Sequence, residues 1–170
     1  VNYVKSCNPY LETPVSLGPK DNIAKAMDLI YKRAHGSVIV IDEHNKPIGV
    51  FTEKDSIGYD RFTKLDKVMS PEVLSVLENS TTKKYFDFLT KNRLNLAPVV
   101  DKNGKLVGVI TKKGLIRSTI YEPNLDSNGK LKVAAAVGIN GQSAEKSVQL
   151  VDLGVDLIVV DTAHGHQTKA

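Results

Sequence analysis

The sequence predicts an α/β chain in which a small module of strands and helices occurs twice and is followed by a separate strand–helix–strand unit. Three observations carry this. The stretch 38–55, VIVIDEHNKPIGVFTEKD, returns at 97–114 as APVVDKNGKLVGVITKKG. Val40, Asp42, Lys46, Gly49, Val50, Thr52 and Lys54 each fall on an identical residue of the second copy. Internal repetition of this kind takes precedence over the reading of any single element. Each copy also carries two β-branched apolar runs separated by a polar turn, with a helix start after the second run. Finally, the character changes after 122–130, EPNLDSNGK, a stretch of turn formers without periodicity.

The elements follow in order. Residues 1–6 read as the last turn of a helix that Asn8 and Pro9 stop. Thr13–Leu17 is a short extended segment, and Gly18-Pro19-Lys20 turns the chain. Asp21 is a plausible N-cap for a helix with Ile23, Ala26, Met27 and Ile30 on one face. Gly36 suits a left-handed cap. Val38–Ile41 reads as a strand buried on both faces. Residues 43–46 are a polar turn, Ile48–Phe51 the returning strand, and Thr52–Asp55 the start of a helix with Thr52 as its N-cap.

The second copy repeats this plan. Ser70-Pro71 turns, Val73–Val76 is extended, and Ser80 or Thr81 caps a helix bearing Tyr85, Phe86, Phe88 and Leu89. Ala97–Val100 and Leu106–Ile110 are strands joined by Asn103-Gly104, both tolerant of positive φ. Lys112–Tyr121 closes the copy. Beyond the linker, Leu131–Val137 and Leu157–Asp161 read as parallel strands around a helix over Ser143–Leu153, with Gly154 as a cap.

Composition is that of a globular protein, 41% hydrophobic and 25% charged over 170 residues. Each copy is too small to bury much apolar surface alone, so the two are expected to share a core. No apolar run approaches the roughly 20 residues of a membrane helix, and no signal-peptide pattern opens the sequence. The single cysteine, Cys7, excludes an intrachain disulfide and lacks a neighbouring base, so it reads as a structural thiol. The net charge of +4 comes from lysines scattered among acids, which argues against a nucleic-acid face and suits a phosphate-bearing small molecule.

Two stretches carry candidate chemistry. In Gly49–Asp55, the Thr52 hydroxyl stands at a helix N-terminus, where free N–H groups and the dipole attract phosphate. Asp55, one turn on, can accept hydrogen bonds from a ribose diol. The simpler reading is that Thr52 only caps and Asp55 only complements the dipole. In the second copy Thr111 is kept but Gly114 stands where Asp55 does, so that half-site lacks its acid and at most one competent high-affinity site per pair is expected, anchored by Asp55. Replacing Asp55 by Ala is expected to weaken binding of such a ligand and leave stability nearly unchanged. His164 and His166 lack carboxylate or cysteine partners, so no metal site is read. His35 and His44 read as surface or turn residues.

The repeated module ending in Gly-h-h-Thr-x-x-Asp, where h is apolar, resembles the cystathionine-β-synthase (CBS) domain, and the tandem copies resemble a Bateman module. KVAAAVGINGQ and LVDLGVDLIVVDTAHGHQ further on are similar to the middle of the inosine monophosphate (IMP) dehydrogenase and guanosine monophosphate (GMP) reductase family. The resemblance implies a CBS pair inserted in a (β/α)8 TIM barrel. On it, 1–12 is the end of a barrel helix and linker, 13–63 and 64–121 are the two CBS domains, and 122–170 is a linker and barrel fragment. It implies that Thr52, Asp55 and Thr111 serve adenine or guanine nucleotides (ATP, GTP or AMP). It also implies that Asp161, at a strand's C-terminal end, faces the nicotinamide ribose of NAD with His164 and Gly165 beside it.

The parent activity expected is IMP dehydrogenase: IMP, NAD and water give xanthosine monophosphate (XMP) and NADH through a cysteine adduct at C2. The catalytic cysteine loop is not in this sequence, so the chain by itself is expected to be inactive. A CBS-containing GMP reductase using NADPH is the alternative; AAAVGINGQ leans that way and DTAHGHQ toward the dehydrogenase. A non-catalytic CBS scaffold for self-association is a third reading. A cytoplasmic homo-oligomer is implied.

Overall fold

The computed structural model describes residues 1–32 and 35–164. The chain divides into two compact units: one formed by Val1–Pro9 with the chain from Glu122 on, the other by Tyr10–Tyr121. Helix α1 (Asn2–Ser6) comes first. The first repeat runs β1 (Ser16–Leu17), α2 (Ile23–Lys32), β2 (Ser37–Ile41), β3 (Pro47–Thr52) and a 3-10 turn at Glu53–Ser56, with another at Leu65–Lys67. The second runs β4 (Val76–Leu77), α3 (Thr82–Lys91), β5 (Leu96–Val100), β6 (Leu106–Thr111) and α4 (Lys112–Ile120). The remainder is β7 (Ala134–Gly138), α5 (Ser143–Asp152) and β8 (Leu157–Asp161).

The repeats fold alike because their turns are alike. Each forms a three-stranded sheet, β1-β2-β3 and β4-β5-β6, with a parallel first pair and an antiparallel second. Val40 faces Gly49 and Val99 faces Gly108, and both registers shift at the next pair. Asp42 Oδ1 accepts from the backbone N–H groups of His44 (2.9 Å) and Lys46 (2.8 Å), and Asp101 Oδ1 from those of Asn103 and Lys105, both 2.8 Å. A carboxylate bonding its own backbone two residues on fixes such a turn. The left-handed residue is Asn45 (φ 62°) in one copy and Gly104 (φ 78°) in the other. The turn therefore rests on the aspartate and on one left-handed residue, not on both members of the Asn103-Gly104 pair.

The two repeats are interlocked. The segment before each repeat pairs with the last strand of the other. Glu12 exchanges backbone hydrogen bonds with Val109 (2.9 and 3.0 Å), and Ser70 with Val50 (2.9 and 3.0 Å). Gly108 and Gly49 permit this: a Cβ on Gly108 would press on Leu11, and one on Gly49 would strike Met69. Asn45 adds bonds to Leu106, accepting from its N–H at 2.8 Å and donating Nδ2–H to its carbonyl at 3.0 Å. Ile39, Leu106 and Val109 form one buried cluster drawn from both copies. Each repeat also has a core of its own, around Phe51 and Leu65 in the first and Tyr85 and Leu89 in the second.

Two local expectations need correction. Asn22, not Asp21, caps α2: its Oδ1 accepts from the Lys25 N–H at 3.0 Å. Asp21 instead accepts from Gly18 N–H (2.9 Å) and Lys25 Nζ (2.8 Å), and the lysine holds its carboxyl below the usual carboxylate range. The helix expected after Thr52 is a single 3-10 turn, whereas its counterpart α4 runs on for nine residues. Leu115, buried in the second core, anchors α4; the matching position in the first repeat is Ser56, and Ile57 beyond it is exposed. Without an apolar anchor a short helix does not propagate.

In the other unit β7 and β8 are parallel, with Ala134 facing Leu157 and Gly138 facing Asp161. Lys5 on α1 meets Asp156 at 2.8 Å and Asp126 at 3.4 Å. The Asp156 bond chiefly raises the ammonium's pKa, and Lys5 in turn lowers that of Asp156. Leu157, Val160, Val148 and Val151 are exposed. Among the described residues no helix is long and apolar enough to cross a membrane.

Candidate functional site

The first repeat brings Thr52 and Asp55 together. Strand β3 delivers Thr52 in extended conformation (φ −126°, ψ 168°) to the start of the 3-10 turn. Asp55 Oδ2 accepts from Thr52 N–H at 2.7 Å and from Thr52 Oγ1–H at 2.8 Å. Both residues are half-buried. A carboxylate offers about four acceptor positions, so these two bonds leave capacity for a diol. The same bonds make Asp55 part of the cap, so its removal costs stability that the sequence did not reveal.

The second repeat builds a similar end from different residues. Thr111 Oγ1 accepts from Gly114 N–H at 2.9 Å, capping α4. Its own proton goes to Glu12 Oε1, at 2.5 Å. Glu12 Oε2 lies 3.4 Å from His35 Nδ1, and His35 Nε2 lies 3.2 Å from the Thr13 carbonyl oxygen. His35 stands in a turn, one of the two places expected for it, and with a side chain only 13% exposed it is also a wall of this site. A cavity of about 300 Å³ opens here, lined by Glu12, His35, Asn95, Lys112, Lys113 and Arg117 together with Thr111 and Gly114. Such a volume is at the lower end for small-ligand sites. Sequence reasoning missed Glu12, His35, Asn95 and Arg117, which lie outside the repeated motif. The one signal for Glu12 was the hole left by Gly114.

Asp161 ends β8 beside Gly138, and is exposed, as is His164. Thr162 Oγ1 accepts from His164 N–H at 3.4 Å and donates to the His164 carbonyl at 3.3 Å, folding the chain just past the strand. Gly165, like His166, lies outside the described residues. Cys7 donates its Sγ–H to the Tyr3 carbonyl at 3.2 Å, a local helix-end contact. Among the described residues no group of three or more His, Cys, Asp or Glu comes together as a metal site would require.

Comparison with known proteins adds to this geometry. Curated relatives include the GMP reductase of Mycobacterium tuberculosis, 43% identical over 99% of this chain and 35% of that protein. The IMP dehydrogenase of Halalkalibacterium halodurans is 38% identical over 92% of this chain and 33% of its own length. The chain thus spans about a third of the curated relatives it matches. Among solved structures, Trypanosoma brucei GMP reductase bound to guanosine 5′-triphosphate superposes with TM-score 0.70 at 28% identity, over 98% of this chain and 42% of that one. The cytosolic domain of a Mg2+ channel, at 23% identity over 63% of this chain and TM-score 0.56, shares the fold of that part. The family profile described as the IMP dehydrogenase / GMP reductase domain matches residues 2–170, and the chain belongs to that family.

Proposed function

We propose that residues 13–63 and 64–121 are a CBS pair that binds purine nucleotides and regulates a purine-nucleotide oxidoreductase. On this reading 1–12 are the end of a barrel helix and a linker, and 122–170 are a linker and part of its TIM-barrel catalytic domain. The observation that carries the proposal is the strand-end threonine paired with a carboxylate, built twice: Thr52 with Asp55 and Thr111 with Glu12. A hydroxyl at a helix start suits a phosphate, and a neighbouring carboxylate suits a ribose diol. The Trypanosoma brucei GMP reductase solved with guanosine 5′-triphosphate supports a purine nucleotide as the ligand. Such control requires that the nucleotide bind two states of the enzyme with different affinity.

For the parent reaction the 43% identity to mycobacterial GMP reductase favours reduction of GMP to IMP and ammonia with NADPH. The dehydrogenase expected from the sequence, which turns IMP, NAD and water into XMP and NADH, is the second reading. It is favoured by the phrase Asp161-Thr162-Ala163-His164. In either reaction the nicotinamide cofactor carries the hydride. Asp161 would accept hydrogen bonds from its ribose at the C-terminal end of β8, with His164 alongside. The barrel faces left exposed at Leu157 and Val160 suit cover by further strands and helices. A cytoplasmic homo-oligomer completes the reading.

The full-length enzyme, assayed with GMP plus NADPH and with IMP plus NAD, separates the two reactions. Turnover of GMP alone supports the reductase, turnover of IMP alone supports the dehydrogenase, and neither sinks the catalytic assignment.

A further inference from the structure

The two strand ends differ by a compensated exchange. In the first repeat the acid is Asp55, and the segment crossing from the other repeat presents Ser70 beside Val50. In the second the acid position is Gly114, and the crossing segment presents Glu12 beside Val109. A Cβ on Gly114 would strike Glu12 Oε1 and lie 2.9 Å from Thr111 Oγ1, so the glutamate carboxylate fills the space where an aspartate side chain at 114 would start. Its contact is also the same: a carboxylate oxygen takes the threonine hydroxyl proton, from Thr52 in one copy and from Thr111 in the other.

The surroundings differ in charge. Glu53, Lys54, Asp55 and Gly58 of the first repeat correspond to Lys112, Lys113, Gly114 and Arg117 of the second. The three cations and His35 line the same cavity as Glu12. One carboxylate among three fixed cations leaves that cavity net positive, and a net positive wall favours a ligand with several phosphate charges over one with a single phosphate.

We propose that the second repeat holds a complete nucleotide site whose ribose acceptor is Glu12, supplied from outside the repeat. Lys112, Lys113 and Arg117 select a purine nucleoside di- or triphosphate over a monophosphate. The inference rests on the reading of the repeats as a nucleotide-binding pair, and it replaces the expectation of at most one competent high-affinity site per pair. Because Glu12 is also stitched to Val109 through its backbone, a nucleotide held by its carboxylate also fastens the segment that leads into the repeats.

Calorimetric titration of the protein with GTP, ATP, GMP and AMP tests this. Two sites per chain are expected. Glu12→Gln keeps an oxygen for Thr111 but loses the charge, and should weaken one site at least tenfold while the Asp55-dependent site persists. Moving the acid back in the double variant Glu12→Ala/Gly114→Asp should restore two sites. Arg117→Ala should narrow the preference for triphosphate over monophosphate at the Glu12 site. A single site, lost in Asp55→Asn and untouched by Glu12→Gln, overturns the inference and leaves nucleotide binding by the pair standing. Two sites that both ignore Glu12→Gln also overturn it. Absence of binding by all four nucleotides overturns both.

Discussion

At the scale of single residues, acids shape this molecule mostly by accepting backbone and hydroxyl hydrogens. Asp42 and Asp101 are held below the usual carboxylate range, chiefly by the backbone N–H of Lys46 and of Lys105. Because their pKa values are lower folded than unfolded, the stability they contribute is full above the ordinary aspartate value of about 3.9. It is lost as pH falls through the depressed folded-state values. Melting temperature followed from neutral pH into acid should therefore drop less steeply in Asp42→Asn/Asp101→Asn than in the parent, since amide oxygens keep the turn bonds without titrating. Equal slopes would mean the turns do not hold these acids. Asp55 is a second case. Because its Oδ2 takes both Thr52 hydrogens, Asp55→Ala should cost about 0.5–2 kcal/mol as caps do, measurable by urea unfolding. Asp55→Asn, which keeps an acceptor, is the cleaner probe of binding.

Among the elements, the hairpins were legible in the sequence because their determinants are local. Alternating apolar runs, Asp42 and Asp101, and the residues at 45 and 104 all lie within a few positions of one another. Helix length was not legible after Thr52, because it depends on whether the next turn carries an apolar anchor. Leu115 reaches the second core, and Ser56 offers nothing equivalent. The partner of Thr111 was hidden for a related reason: Glu12 comes from a segment far away in sequence that pairs with Val109. The glycines facing Val40 and Val99 report that crossing. Gly49→Ala should force Met69 aside and cost about 1–3 kcal/mol, as overpacking does. In a Met69→Ala background the added methyl should cost much less. A double-mutant cycle with no coupling between the two positions would refute the close approach.

At the scale of the whole molecule, the repeat was the most legible feature and the interlock the least. Identity between 38–55 and 97–114 shows that a module recurs, but not that each copy completes the other's sheet edge. Ile39, Leu106 and Val109 make one cluster from both copies, and each copy alone would expose it and an unpaired strand edge. Residues 10–121 expressed alone should therefore unfold in one cooperative transition, whereas 13–69 and 70–121 expressed separately, each keeping its own core residues, should lack cooperative unfolding by circular dichroism. Autonomous folding of either half would contradict the shared core. The chain belongs to the IMP dehydrogenase / GMP reductase domain family, and its proposed regulation by nucleotide rests on binding by the repeat pair. The most direct test is calorimetric titration of this protein with GTP and ATP, repeated on Asp55→Asn. Saturable binding is expected, with one component weakened at least tenfold in the variant. Binding of neither nucleotide, or binding that Asp55→Asn leaves unchanged, would contradict it.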